Sequence, residues 1–197
     1  MKWWFTARRP LMLAQAVAAY LAFLVVLGGA ELPLPSILDP GAASTPLSVF
    51  LPILLIAALQ RSQDEVDHVV EATAVRPLWL LRLVLPCGLL TVAIVSALVV
   101  AAATGGDQLM AGRNFVGYLG IALLAYRWLG SRAMTVAVLV VAGLAGPLGA
   151  RQFGEPEIWA FPLHRPGSLP AAGICGVLLA LGLAQSMRKP SLRQLGI

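Results

Sequence analysis

Charge is what this sequence has least of. Lys and Arg number 14 and Asp and Glu 9, so 12% of the 197 residues are charged while 59% are hydrophobic. A soluble domain carries about 25% charged residues. A chain of this length has too little interior to keep so much apolar side chain from water, which leaves lipid as its solvent. Histidine is nearly absent (His68 and His164), and so is cysteine (Cys87 and Cys175). Both cysteines lie inside apolar runs, which excludes a disulfide framework or a metal site and reads as packing. No GxxxxGK[ST] loop is present to cradle a nucleotide phosphate, and no GxSxG or HExxH pattern offers a nucleophile or a zinc site. Asp107, His164 and Ser168 share no catalytic spacing. The chain reads as neither an enzyme nor a metalloprotein, and it holds no cofactor of its own.

What is present is apolar sequence in helix-length runs. A membrane helix needs about 20 apolar residues to cross a core about 30 Å thick. Residues 11–30, 77–103, 114–129, 133–150 and 170–187 supply such runs. A sixth, residues 47–59, reaches spanning length when extended to 42–60. Lys2, Arg8 and Arg9 before the first run, with Gly28, Gly29 and Ala30 after it, have the outline of a secretion signal. With further runs behind it, a retained first span is expected. No repeat or linker divides residues 1–197, so the expectation is one all-α transmembrane domain of six helices.

Basic residues orient it. With six spans and a cytoplasmic N-terminus, the inner side receives Lys2, Arg8, Arg9, Arg61, Arg76, Arg82, Arg127, Arg132, Arg188, Lys189 and Arg193, and the outer side Arg113, Arg151 and Arg165. This is the positive-inside pattern of a multi-pass plasma-membrane protein with both termini in the cytoplasm. Without the second span everything after it would change sides and the asymmetry would vanish. Trp3, Trp4, Trp79, Trp128 and Trp159 all fall near span ends, as aromatic belts require. Gly143, Gly146, Gly149, Gly173 and Gly176 lie within spans, where small residues let helices approach.

The span centres lack Asp, Glu, Lys and His, the groups on which ion-coupled pumps and proton relays depend. Their polar residues are Gln15, Tyr20, Thr91, Ser96, Tyr118 and Thr135. These read first as hydrogen-bonding glue between helices and otherwise as candidates for a translocation path. Transport against a gradient would then draw its energy from outside the membrane, that is, from ATP hydrolysed by another chain.

Two segments outside the spans stand out. In residues 61–76, Ser62, Gln63, Asp64 and Glu65 form a capping box, with Asp64, Glu65 and Asp67 in a first helical turn. Val66, Val69, Val70 and Ala74 make an apolar stripe opposite Asp64, Asp67, His68 and Glu71, and Pro77 ends the helix. The four acids expected on the cytoplasmic side all lie here. They read as a solvated interfacial helix or as a docking face whose acids resist an anionic membrane surface. Residues 151–170, with Pro156, Pro162, Pro166 and Pro170 beside Phe153, Trp159 and Phe161, are too apolar for a free loop and too proline-rich for a span. Short outer-face helices starting near Glu155, Pro156 and Glu157 are expected.

This layout resembles the membrane subunits of ABC-2 type exporters, over nearly the whole chain. Arg113-Asn114 at the head of the fourth span and Trp159-Ala160-Phe161-Pro162-Leu163 in the last outer segment are similar to small actinobacterial-type members. The resemblance implies a cytoplasmic coupling helix between spans two and three and short outer helices between spans five and six. It further implies a permease working as a homo- or heterodimer beneath which a separate ATPase subunit binds ATP and Mg. Arg61, Asp64, Glu65, Asp67, His68 and Glu71 would face that ATPase, and nucleic acid has no place in the scheme. The alternative is a non-transporting membrane scaffold or immunity-type subunit that binds a cytoplasmic partner through the same helix.

Overall fold

Proline marks the starts of three helices, at the one helical turn where its missing N–H costs nothing. The computed structural model of the protein describes residues 9–35, 42–64, 78–104, 108–150 and 156–187. Within them lie α1 (Pro10–Leu27), strands β1 (Glu31–Pro35) and β2 (Ala42–Pro46), α2 (Pro52–Asp64), α3 (Leu78–Thr104), α4 (Leu109–Leu129), α5 (Ala133–Gly149) and α6 (Leu169–Ser186). Single turns of 3₁₀ helix cover Leu47–Val49 and Phe161–Leu163. Helices α1, α3, α4 and α6 are long and apolar enough to cross a membrane. Helix α5 is apolar but has 17 residues, and α2 has 13, about 20 Å for the latter.

The helices at 77–103, 133–150 and 170–187 appear within a residue of the expected ends, and α4 begins five residues before 114. The first helix stops at Leu27, where Gly28 donates to the Leu24 carbonyl. Residues 42–60 differ most. They begin as β2, paired antiparallel with β1 from Glu31↔Pro46 to Pro35↔Ala42, and become α-helical only at Pro52. The Leu47 N–H to Ala30 carbonyl bond (2.8 Å) extends the ladder by one pair. By alternation the hydrogen-bonded pairs are then 32/45 and 34/43. Pro33, Pro35 and Pro46 fall at the intervening positions, whose N–H would point away from the partner strand. Proline there removes no ladder bond and blunts both free edges.

The stretch after β2 runs the length of the bundle. At its start the Ser48 hydroxyl meets Met110 Sδ (3.8 Å), at the head of α4. At its other end Gln60 Oε1 accepts from the Thr135 N–H (3.1 Å), at the head of α5. Helices α4 and α5 are antiparallel, joined by a tight turn at Gly130, whose φ of 88° suits glycine. Met110 and Thr135 therefore lie at opposite ends, called below the hairpin end and the Gly130 end.

Helix α4 is the centre of the bundle, with two thirds of it buried, and it packs against α2, α3, α5 and α6. It is also the least apolar of the four long helices, as expected of a helix whose neighbours, not lipid, surround it. Its glycines make that enclosure possible. A Cβ on Gly120 would overlap the Leu178 backbone of α6, and one on Gly182 would sit 2.8 Å from the Gly120 carbonyl. A Cβ on Gly112 would lie 2.8 Å from Ala97 of α3. Of the glycines expected to let helices approach, Gly149 makes room instead for Ala160 of the segment after α5, whereas Gly143, Gly173 and Gly176 face open space.

Candidate functional site

Arg113 and Asn114, one turn into α4, are where the described residues concentrate polar side-chain bonds. The Arg113 guanidinium donates to the carbonyls of Arg165 (2.6 Å), His164 (2.8 Å) and Phe161 (3.0 Å). Its Nε and Nη2 also reach Asn114 Oδ1 at 3.3 and 3.1 Å. The Asn114 amide donates to the Pro162 carbonyl at 2.9 Å. Asn114 is fully buried and His164 nearly so. A cation near a helix N-terminus gains nothing from the helix dipole; here three carbonyls of one segment supply the negative partial charge.

That segment, residues 156–168, lies across the hairpin end between α5 and α6. It is bonded to itself: Ala160 N–H to Glu157 O (2.8 Å), Leu163 N–H to Ala160 O (3.0 Å), Ser168 N–H to Arg165 O (3.0 Å). His164 Nε2 adds a contact of 3.1 Å to the Glu157 carbonyl. The Glu157 N–H donates to the Gly149 carbonyl at the end of α5 (3.1 Å). Its helical part is the single 3₁₀ turn Phe161–Leu163, while Pro156 and Glu157 are not helical and Glu155 lies outside the described residues.

Phe161 points into the bundle. It is buried and stacks edge-on against Tyr118, with ring centroids 6.0 Å apart. Gly117 leaves room for it, since a Cβ there would lie 2.6 Å from the Phe161 ring and 2.9 Å from Cys175 Sγ. The Tyr118 hydroxyl is fully buried without a hydrogen-bond partner, within electrostatic reach of Cys175 and Arg113.

The residues proposed for a path do not converge. Gln15 and Thr91 are exposed on α1 and α3, and the Thr91 hydroxyl bonds the Cys87 carbonyl of its own helix (3.0 Å). Tyr20 and Ser96 face one another between α1 and α3, but Ser96 donates to the Ala93 carbonyl (3.1 Å) and the Tyr20 hydroxyl is unpartnered. Tyr118 lies under Phe161, and Thr135 at the Gly130 end. Of the docking residues, Arg61 and Asp64 are exposed in the last turn of α2; Glu65, Asp67, His68 and Glu71 lie outside the described residues. Ser62 does not cap a new helix. It is buried inside α2, which continues to Asp64, and its hydroxyl has no partner.

No protein-family model, curated protein or solved structure matches the chain. The Arg113–Asn114 cluster carried one signal in the sequence. Arg113 is one of the three basic residues that the expected orientation assigns to the outer side, and such a cation needs a local reason.

Proposed function

We propose that the chain is the membrane-spanning permease subunit of an ATP-driven exporter, crossing the plasma membrane six times with both termini in the cytoplasm. Two permeases enclose the path, and a separate ATPase subunit, holding ATP and Mg, docks on the segment that follows α2. The observation that carries this reading is the Gln60–Thr135 bond. It supports a second crossing made by the 3₁₀ turn and α2 together, and it puts the last turn of α2, with Arg61 and Asp64, at the same end as Arg127 and Arg132. The span centres hold no titratable relay, so the reading takes its energy from the partner.

Purification of the full chain in mild detergent with a candidate ATPase tests it. A complex whose ATP hydrolysis depends on this chain, and which moves a substrate in proteoliposomes, is the expected result. A complex with no transport would instead support the scaffold reading, which the scatter of Gln15, Thr91 and Thr135 favours. Absence of any nucleotide-hydrolysing partner would overturn the exporter assignment.

A further inference from the structure

The attachment of residues 156–168 is concentrated on two neighbouring side chains. Carbonyls at positions 161, 162, 164 and 165 all end on Arg113 or Asn114, while the segment's remaining bonds are largely internal. A body bonded to itself, latched by side chains at one point and joined to its flanking helices by the backbone bonds Glu157–Gly149 and Ala172–Ser168 at its two ends, swings as a unit about those ends. Beneath it, the Phe161 ring and the Cys175 thiol, which is 1% exposed, close together on the space over Gly117. The closed arrangement also leaves the buried Tyr118 hydroxyl without a partner. An orphaned buried hydroxyl disfavours the state that contains it, and withdrawal of Phe161 gives water a route to it.

We infer that residues 156–168 form a strap latched by Arg113 and Asn114, with Phe161 as its plug, and that release of this latch opens the hairpin end of the bundle. The Tyr118 hydroxyl biases the strap toward opening and the Arg113 bonds oppose it. The two balance across one aromatic ring. In the exporter reading the opening is the outer exit; the latch itself rests on that reading only for what passes through it.

Cys175 reports the opening directly. The test uses the purified full chain in neutral-detergent micelles, with Cys87→Ser as background and N-ethylmaleimide as probe, rates being normalised to those in denaturant. No ATPase is needed, so failure here is separate from failure of the exporter assignment. Arg113→Gln removes charge-assisted bonds, and Cys175 should label at least about tenfold faster with overall melting still cooperative. Tyr118→Phe removes the orphaned hydroxyl, and labelling should slow about tenfold. The second effect has the opposite sign and does not follow from a merely structural Arg113. Cys175 labelling no faster in a folded Arg113→Gln chain overturns the latch, as does labelling of Tyr118→Phe at or above the parent rate. If Arg113→Gln does not fold, Tyr118→Phe decides alone.

Discussion

Gln60 caps the first turn of a helix at Thr135, 75 residues further along the chain. The first turn of α5 has N–H groups with no partner inside the helix, and Arg132, the residue just before it, supplies no side-chain cap. The Thr135 N–H is satisfied instead by Gln60 Oε1, 3.1 Å away. A polar side chain from one apolar helix thereby sets the depth of another.

Gln60→Ala should lower stability by about 1 kcal/mol, a melting shift of about 2–4 °C for a protein of this size. Thr135→Val keeps the backbone N–H and deletes a buried hydroxyl that has no partner, so it should melt at or above the parent temperature. Thermal unfolding in one detergent measures both. Equal losses in the two variants would show that the contact is side-chain packing and not a cap.

Gly120 and Gly176 separate packing from mere smallness. Gly120→Ala drives a Cβ into the Leu178 backbone and should cost about 1–3 kcal/mol or prevent folding. Gly176→Ala meets nothing within 4 Å and should be neutral or stabilising by up to about 1 kcal/mol. Folded yield and melting temperature compare them; similar behaviour would remove α4–α6 contact as the reason for Gly120.

The end-to-end course of the Leu47–Gln60 stretch makes a topological prediction. In a chain lacking Cys87 and Cys175, Ser44→Cys in the hairpin should react with an impermeant maleimide added outside cells. Ser131→Cys, in the α4–α5 turn, should react only after permeabilisation. Labelling of both from one side would eliminate the six-span arrangement.

Charge reversal at Asp64, Asp67 and Glu71 to lysine bears on docking. ATPase binding should weaken by at least about tenfold, the expected loss of a few rim charge contacts, while membrane insertion persists. Unchanged binding and coupled transport would relocate the docking face.

The sequence revealed the helices better than their connections. Runs such as 133–150 declare themselves because lipid selects on composition, and nothing competes with a helix there. Residues 42–46 did not declare their strand. Ala-Ala-Ser-Thr-Pro is as compatible with a helix end as with a ladder, and the choice is made by pairing with Glu31–Pro35. The prolines of Glu-Leu-Pro-Leu-Pro carry no strand signal of their own, and only the register shows that they occupy the non-bonded positions. Ser62 was misleading for a related reason: a local capping pattern was overridden by an apolar stripe (Leu55, Ile56, Leu59) that keeps α2 helical and buried past it. Arg113-Asn114 and Trp159–Leu163 both stood out as patterns, but only folding brings them together, 48 positions apart.

The enclosure of α4 has a consequence for how the protein is made. A helix carrying Arg113, Asn114 and four glycines (positions 112, 117, 120 and 130 at its end) partitions poorly from the insertion machinery into lipid on its own. Its stability in the bilayer is borrowed from α3, α5 and α6, and α6 is synthesised last. In the six-span reading, α4 is therefore expected to stay at the protein-conducting channel or beside α3 until α6 has been delivered. A chain truncated before Leu169 should be handed to membrane quality control instead of settling in the bilayer.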